Sequence, residues 1–194
     1  MSAVADLLGE VPWVQALPPG ARAVVYADAY ETRHAKGESI ARPGDPPQSW
    51  IGVADGLLKV SAVDREGRGF TFAGAPRGSW IGEGAMVRSE SRRYDIIAVR
   101  ESRLIHIPRR TFRQLLDDSG EFRRVVLAHL NERVGQLIEM MEIGRLHDPV
   151  ARVARMLGTA FDPALYPRMG AVLPLSQGEL AEWVGLSRQC TGAA

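Results

Sequence analysis

The 194-residue chain has a single cysteine, Cys190. One cysteine can form neither an internal disulfide nor a four-cysteine zinc or iron–sulfur site. That usage fits a reducing, cytoplasmic setting. Lysine is almost as scarce, with Lys36 and Lys59 alone among 24 basic residues. Net charge is only +1, so the total does not predict nucleic-acid binding and any basic surface must arise by local clustering. No apolar run approaches a membrane span. The start, MSAVADLLGEVPWVQ, carries Asp6 and Glu10 and lacks the basic region of a secretory signal. G-x-S-x-G, P-loop and H-E-x-x-H motifs are missing, and Cys190 has no catalytic context, which argues against an enzyme. Asp117 and Asp118 suit a helix end better than acid–base chemistry. His34, His106, His129 and His147 are too widely spaced for an H-x-x-x-H metal pair, and no spacing singles one out as a haem ligand.

What is present is an ordinary globular composition, 45% apolar and 24% charged. Residues 1–33 read as short helices: Val4, Leu7, Leu8 and Val11 recur at helical spacing, LPPG breaks the run, and ARAVVYADAYE follows. Residues 35–107 change character. Turn signals (KGES, RPGDPP, ADG, REGRG, APRGSW) separate short runs (WIGVA, LLKVSAV, FTFAG, YDIIAV, RLIHI), which predicts an all-β barrel or sandwich. WIGEGAMV interrupts that region with a Gly-Glu-Gly loop and a short small-residue segment. RRTFRQLL is a short helix ended by DDSG, and a long helix follows. On it Leu127, Leu130, Val134, Leu137 and Met141 form a heptad seam. Two expectations stand for that seam: packing on the chain's own core, or a two-chain coiled coil. Asp148 then caps a helix with Pro149 at its first position, and DPALYPRMGAVLPL contains turns and one short strand.

The last segment, LSQGELAEWVGLSRQCTGAA, is dense with helix signals. Ser176 and Glu179 make a capping box. Gly185 permits a left-handed turn, Leu186 plugs the corner, and Ser187 caps a second helix. This is the helix-turn-helix arrangement. In such a motif the second helix enters the major groove by its N-terminal end. Ser187, Arg188 and Gln189 would then face the bases, and Ser176 and Gln177 the phosphates.

The collinear set KGE, GDP, W-I-x-x-x-x-G-x-x-K-V, GSWIGE, RLIHIPR, HDPVARVARML and LSQGELAEWVGLSRQ resembles the Crp/Fnr family of bacterial transcription regulators. The resemblance implies an α+β chain in three parts. Residues 1–118 would form a β-roll (jelly-roll) effector-sensing domain with N-terminal helices. Residues 119–146 would be a dimerisation helix, and residues 147–194 a winged helix-turn-helix whose wing is missing. It implies a homodimer in which an effector shifts the long helix pair. The shift would place two recognition helices about one DNA turn apart on a near-palindromic site, with RNA polymerase as the further partner. A cyclic-nucleotide-binding-like sensor and dimerisation module that does not bind DNA is the alternative.

In cyclic-nucleotide-binding relatives a Gly-Glu opens a small helix, the Glu takes the ribose hydroxyl, and an Arg-Ser pair takes the phosphate. Here Gly82, Glu83, Gly84 and Ala85 match the opening. Arg92 or Arg93, depending on register, falls at the Arg position, and no serine follows either. The polar pair that the long helix usually offers to the base matches Leu130 and Asn131. The effector is therefore unknown: a cyclic nucleotide, a cyclic dinucleotide, another ligand, or none. Cys190 alone excludes an iron–sulfur sensor. Gly192-Ala193-Ala194 stands where the family continues its recognition helix, so the sequence reads as a helix-turn-helix cut short.

Overall fold

The computed structural model describes residues 3–63, 66, 69–159 and 175–194. The short strand expected within 162–175 lies outside these except for Leu175. Three helices lead in: α1 (Ala3–Gly9), α2 (Pro12–Gln15) and α3 (Pro19–Asp28). Pro12 and Pro19 sit at the first positions of α2 and α3, where a missing N–H costs no helical bond. The strands are β1 (Tyr30–His34), β2 (Ser39–Ala41), β3 (Ser49–Asp55), β4 (Leu57–Val63), β5 (Gly69–Pro76) and β6 (Trp80–Ile81). After α4 (Glu83–Arg88) come β7 (Asp95–Ala98) and β8 (Ser102–Pro108). The strands make two antiparallel sheets, β1-β8-β3-β6 and β2-β7-β4-β5, wrapped as a β-roll.

Side-chain alternation separates two cores. In β3, Trp50 and Ala54 face the helices, whereas Ile51 and Val53 face the roll interior. In β8, Ile105 and Ile107 face the helices and Leu104 faces inward. The helix-side core is aromatic. Trp50 has Trp13 at 5.1 Å, Trp80 at 4.7 Å, and Phe112 and Phe122 edge-on at 5.5 and 5.8 Å between ring centroids.

Residues 30–33, read from sequence as the end of the N-terminal helices, form β1 with His34 instead. YETRH has no apolar alternation to announce a strand; it is held by full pairing with β8, Tyr30 opposite His106 through His34 opposite Ser102. The bidentate contact of Arg103 with Glu31, at 3.0 and 2.9 Å, fastens the same edge.

Helix α5 (Arg109–Asp118) leads to the 25-residue α6 (Gly120–Gly144), which Ser119 caps by accepting from the Phe122 N–H at 3.2 Å. Phe122, Val126 and Ile143 lie on the buried side of α6. Leu127, Val134, Leu137, Ile138 and Met141 are each more than half exposed, and Leu130 packs partly against the helix-side core. Asp148 caps α7 (Pro149–Thr159) at the Val150 N–H, 3.1 Å away. The last pair is α8 (Gln177–Val184), whose Trp183 and Val184 share a small core with Ile143, Val153 and Met156, and α9 (Arg188–Ala193), which packs against α7 and α8.

Candidate functional site

Two regions carry the chemistry that the sequence singled out. The first is the α4 cassette. Gly82 has φ of +94°, a conformation glycine adopts without strain. It also has no room for a side chain: a Cβ there would meet the Arg92 guanidinium. The turn aims Glu83 inward, leaving it 4% exposed. Its carboxylate lies 3.7 Å from Arg133 Nε and accepts from the Trp50 indole at 3.4 Å. Arg133 also donates to Gln136 at 2.9 Å and to the Trp80 carbonyl at 3.1 Å. His129 stands edge-on to Trp50 at 5.6 Å, and burial holds its imidazole below the usual histidine range against the raising effect of Glu83. Its Nδ1 has no hydrogen-bond partner among the described residues.

Arg92 and Arg93 diverge, because successive residues of an extended segment point to opposite sides. Arg92 is 4% exposed and donates to the Ser49 carbonyl at 2.7 Å. Its Nη1 has no partner among the described residues, and burial lowers its pKa. Arg93 stays at the surface, where it and Arg88 grip Glu90 at 2.8 and 2.5 Å. Those two hydrogen bonds, first from Arg88 and then from Arg93, hold the Glu90 carboxyl below its ordinary range. Gly84, Ala85, Arg93 and Tyr94 line a cleft of about 180 Å³. Arg92 lines a different one of about 330 Å³, with Ser49 and His106. Asn131 is exposed. A helix turns about 100° per residue, so residue 131 points away from the side of α6 that carries His129 and Arg133 toward the cassette. The sequence reading missed Arg133 and Trp50. Sequence spacing could not supply them, because Arg133 on α6 and Trp50 on β3 each meet Glu83 across a long separation in the chain.

The second region is the terminal helix pair. Ser176 accepts from the Glu179 N–H at 3.2 Å, and Glu179 accepts from the Ser176 N–H at 2.7 Å, closing the capping box. Gly185 adopts φ of +70° at the corner, and Ser187 caps α9 through the Cys190 N–H at 3.2 Å. Ser176, Gln177, Ser187, Arg188 and Gln189 are all exposed. Burial raises the Glu179 carboxyl pKa, but the two Ser176 hydrogen bonds and the charges of Lys36 and Arg100 outweigh it, and the net shift is downward.

The cyclic nucleotide-binding domain family matches residues 31–119. The transcriptional regulator SdrP of Thermus thermophilus is 31% identical over 156 residues, which span 79% of this chain and 74% of SdrP. A transcriptional regulator of the Crp/Fnr family from Eubacterium rectale superposes with a TM-score of 0.71 at 17% identity, covering 94% of this chain and 83% of that one. The chain belongs to the Crp/Fnr family of transcription regulators. Two further solved structures share the fold. FixK2 from Bradyrhizobium japonicum has a TM-score of 0.72 at 17% identity, covering 85% of this chain and 81% of its own. CLP, the c-di-GMP-responsive global regulator of Xanthomonas campestris, has a TM-score of 0.68 at 22% identity, covering 91% and 89%. No helix among the described residues is long and apolar enough to cross a membrane.

For a Crp/Fnr regulator, a cyclic nucleotide in the cassette is the first ligand to test against these residues. They do not fit the ribose-and-phosphate grip of the cyclic-nucleotide-binding relatives. The Glu83 carboxylate is buried and already engaged by Arg133 and Trp50. The phosphate-side pair is Arg-Arg instead of Arg-Ser, with one guanidinium turned to Ser49 and the other to Glu90.

Proposed function

We propose that this Crp/Fnr regulator acts as a homodimer that binds DNA through α8 and α9. In this proposal residues 1–118 sense, residues 119–146 pair two copies, and residues 147–194 read DNA. The observation that carries it is the geometry of the terminal pair. A capped helix, a left-handed Gly185 and a second capped helix leave Ser187, Arg188 and Gln189 exposed together at the start of α9. That is the end of a recognition helix that enters the major groove. The row of exposed apolar side chains on α6 supports pairing through that helix. A gel-shift with random DNA fragments tests the proposal. Retardation that weakens with salt is expected; its absence leaves a sensor and dimerisation module that does not read DNA.

The effector in this proposal is an anion that enters beside Arg93 and competes with Glu90 for its guanidinium. CLP, which shares the fold, responds to cyclic di-GMP, and Arg88 and Arg93 together at one cleft make that ligand the first to try. Calorimetry against cyclic AMP, cyclic GMP and cyclic di-GMP decides among them. Arg93→Glu should abolish the binding, and heat unchanged by that substitution would remove Arg93 from the site.

A further inference from the structure

The helix-turn-helix does not hang from α6 and α7 alone; its first helix lies on the sensor. Trp183 of α8 is 6% exposed, and its ring sits over Gly74 of β5, where a Cβ would meet it at 3.2–3.5 Å. Beside it, Glu182 accepts from the Lys59 ammonium at 3.0 Å. The surface beneath is the outer face of the β2-β7-β4-β5 sheet. In β4 and β5 the alternate residues Leu58, Val60, Ala73 and Ala75 point into the roll, which leaves Lys59 and Gly74 to face α8. The charge placement is selective. The chain has two lysines; Lys59 pairs with Glu182, and Lys36 lowers the pKa of Glu179, so both act on acidic residues of the same helix. The contact also encloses a cleft of about 240 Å³, lined by Ile97, Ala98 and Val99 at the end of β7.

We propose that this outer sheet face is a docking surface for α8, so that each sensor domain positions its own helix-turn-helix directly, in parallel with the long helix. Gly74 brings the indole closest to the sheet: even a Cβ there would press on the ring at 3.2 Å, and a larger branched side chain would push it away. Docking leaves Ser176, Gln177, Ser187, Arg188 and Gln189 exposed, so it orients the proposed DNA-reading face without covering it. The surface is wired to the cassette by covalent continuity: β7 begins just after Arg92, Arg93 and Tyr94 and ends under α8. A change of strand position at the arginines is delivered to α8 without passing through α6.

Charge swap and steric block on the full chain test this docking surface. Lys59→Glu and Glu182→Lys should each speed hydrogen–deuterium exchange in α8 by about threefold or more, and the double exchange of charges should restore it. Gly74→Val, which keeps a strand-forming residue in β5, should produce the larger increase. Exchange in α8 unchanged in all three single variants would overturn the docking. The consequence for DNA rests on the proposed DNA binding and is read separately. In a gel-shift, Gly74→Val should alter the preferred half-site spacing with Arg188 and Gln189 untouched. Loosened α8 with the wild-type spacing preference would overturn the positioning role. A wild-type chain that retards no DNA would sink the DNA-binding proposal, while the exchange result still decides the docking.

Discussion

Arg133 on the long helix holds Glu83 of the cassette, Nε to Oε1 at 3.7 Å, in a place where the carboxylate is 6% and the guanidinium side chain 16% exposed. Two consequences meet in this pair. Glu83, the buried carboxylate among the described residues, is matched by the chain itself, and the cassette is tied to the helix proposed to form the dimer. Removing one member of a buried pair leaves the other charged and unmatched, at a cost of about 3 kcal/mol. Arg133→Met is therefore expected to lower the urea midpoint strongly. Arg133→Met with Glu83→Gln should recover much of the loss, since both charges then disappear. If the single variant stays within about 0.5 kcal/mol of wild type, the pair contributes little and the cassette is held by other contacts.

His106 sets a pH dependence. Burial lowers its pKa from 6.5 to about 4, while its two nitrogens are bonded to Ser49 at 2.8 Å and Thr32 at 2.7 Å. The folded state then binds a proton less readily than the unfolded chain. Stability from this residue is fully present above about pH 6.5, falls as pH drops toward 4, and is gone below that. Across the window the loss is on the order of 3 kcal/mol. Burial depresses His129 in the same direction, so the slope has two sources. Urea midpoints measured from pH 7 to pH 4 should fall less steeply in His106→Gln than in wild type. Equal slopes would mean that His106 takes up its proton as readily in the folded state as in the unfolded chain.

The terminal helix pair was legible residue by residue because its signals are local. Ser176 and Glu179 satisfy each other's backbone within one turn, and Gly185 and Ser187 act on their own neighbours. The roll was legible as a class from its turn spacing, but β1 was not, since YETRH is a strand only by virtue of β8 far along the chain. The cassette was legible as a motif and not as a site. Which way Arg92 and Arg93 point depends on the phase of the extended segment, and the residues of α6 that reach Glu83 depend on how the helix is rotated. A shift of two positions on α6 separates the expected Asn131 from the observed Arg133 and moves the side chain about 200° around the helix.

The α6 seam makes a separable prediction. Leu130 is partly committed to the chain's own core, but Val134 and Leu137 are 55% and 52% exposed and touch it little. Val134→Glu and Leu137→Glu should leave the urea midpoint of the isolated chain near wild type. In a dimer each would bury a charge at the seam of both copies, and the dissociation constant should rise by about a hundredfold or more. Light scattering across a dilution series reads this directly. A dimer as tight as wild type in both variants would place the interface elsewhere.

Substitutions at Arg188 and Ser176 should weaken the proposed DNA binding in different ways, which separates reading from anchoring. Arg188 stands at the first position of α9, exposed and with no hydrogen bond or ion pair of its side chain among the described residues. If it reads a guanine edge, Arg188→Ala should cost about 1–3 kcal/mol on a preferred site and little on random DNA. Ser176 instead caps α8, and in the proposed complex it would meet a phosphate. Ser176→Ala should weaken preferred and random fragments alike and loosen α8 by about 1 kcal/mol. Fluorescence anisotropy on one preferred and one scrambled duplex, each at several salt concentrations, tells the two apart. Equal losses on both duplexes for Arg188→Ala would make it a phosphate contact, and the specificity of the motif would then have to come from Gln189 or from DNA shape.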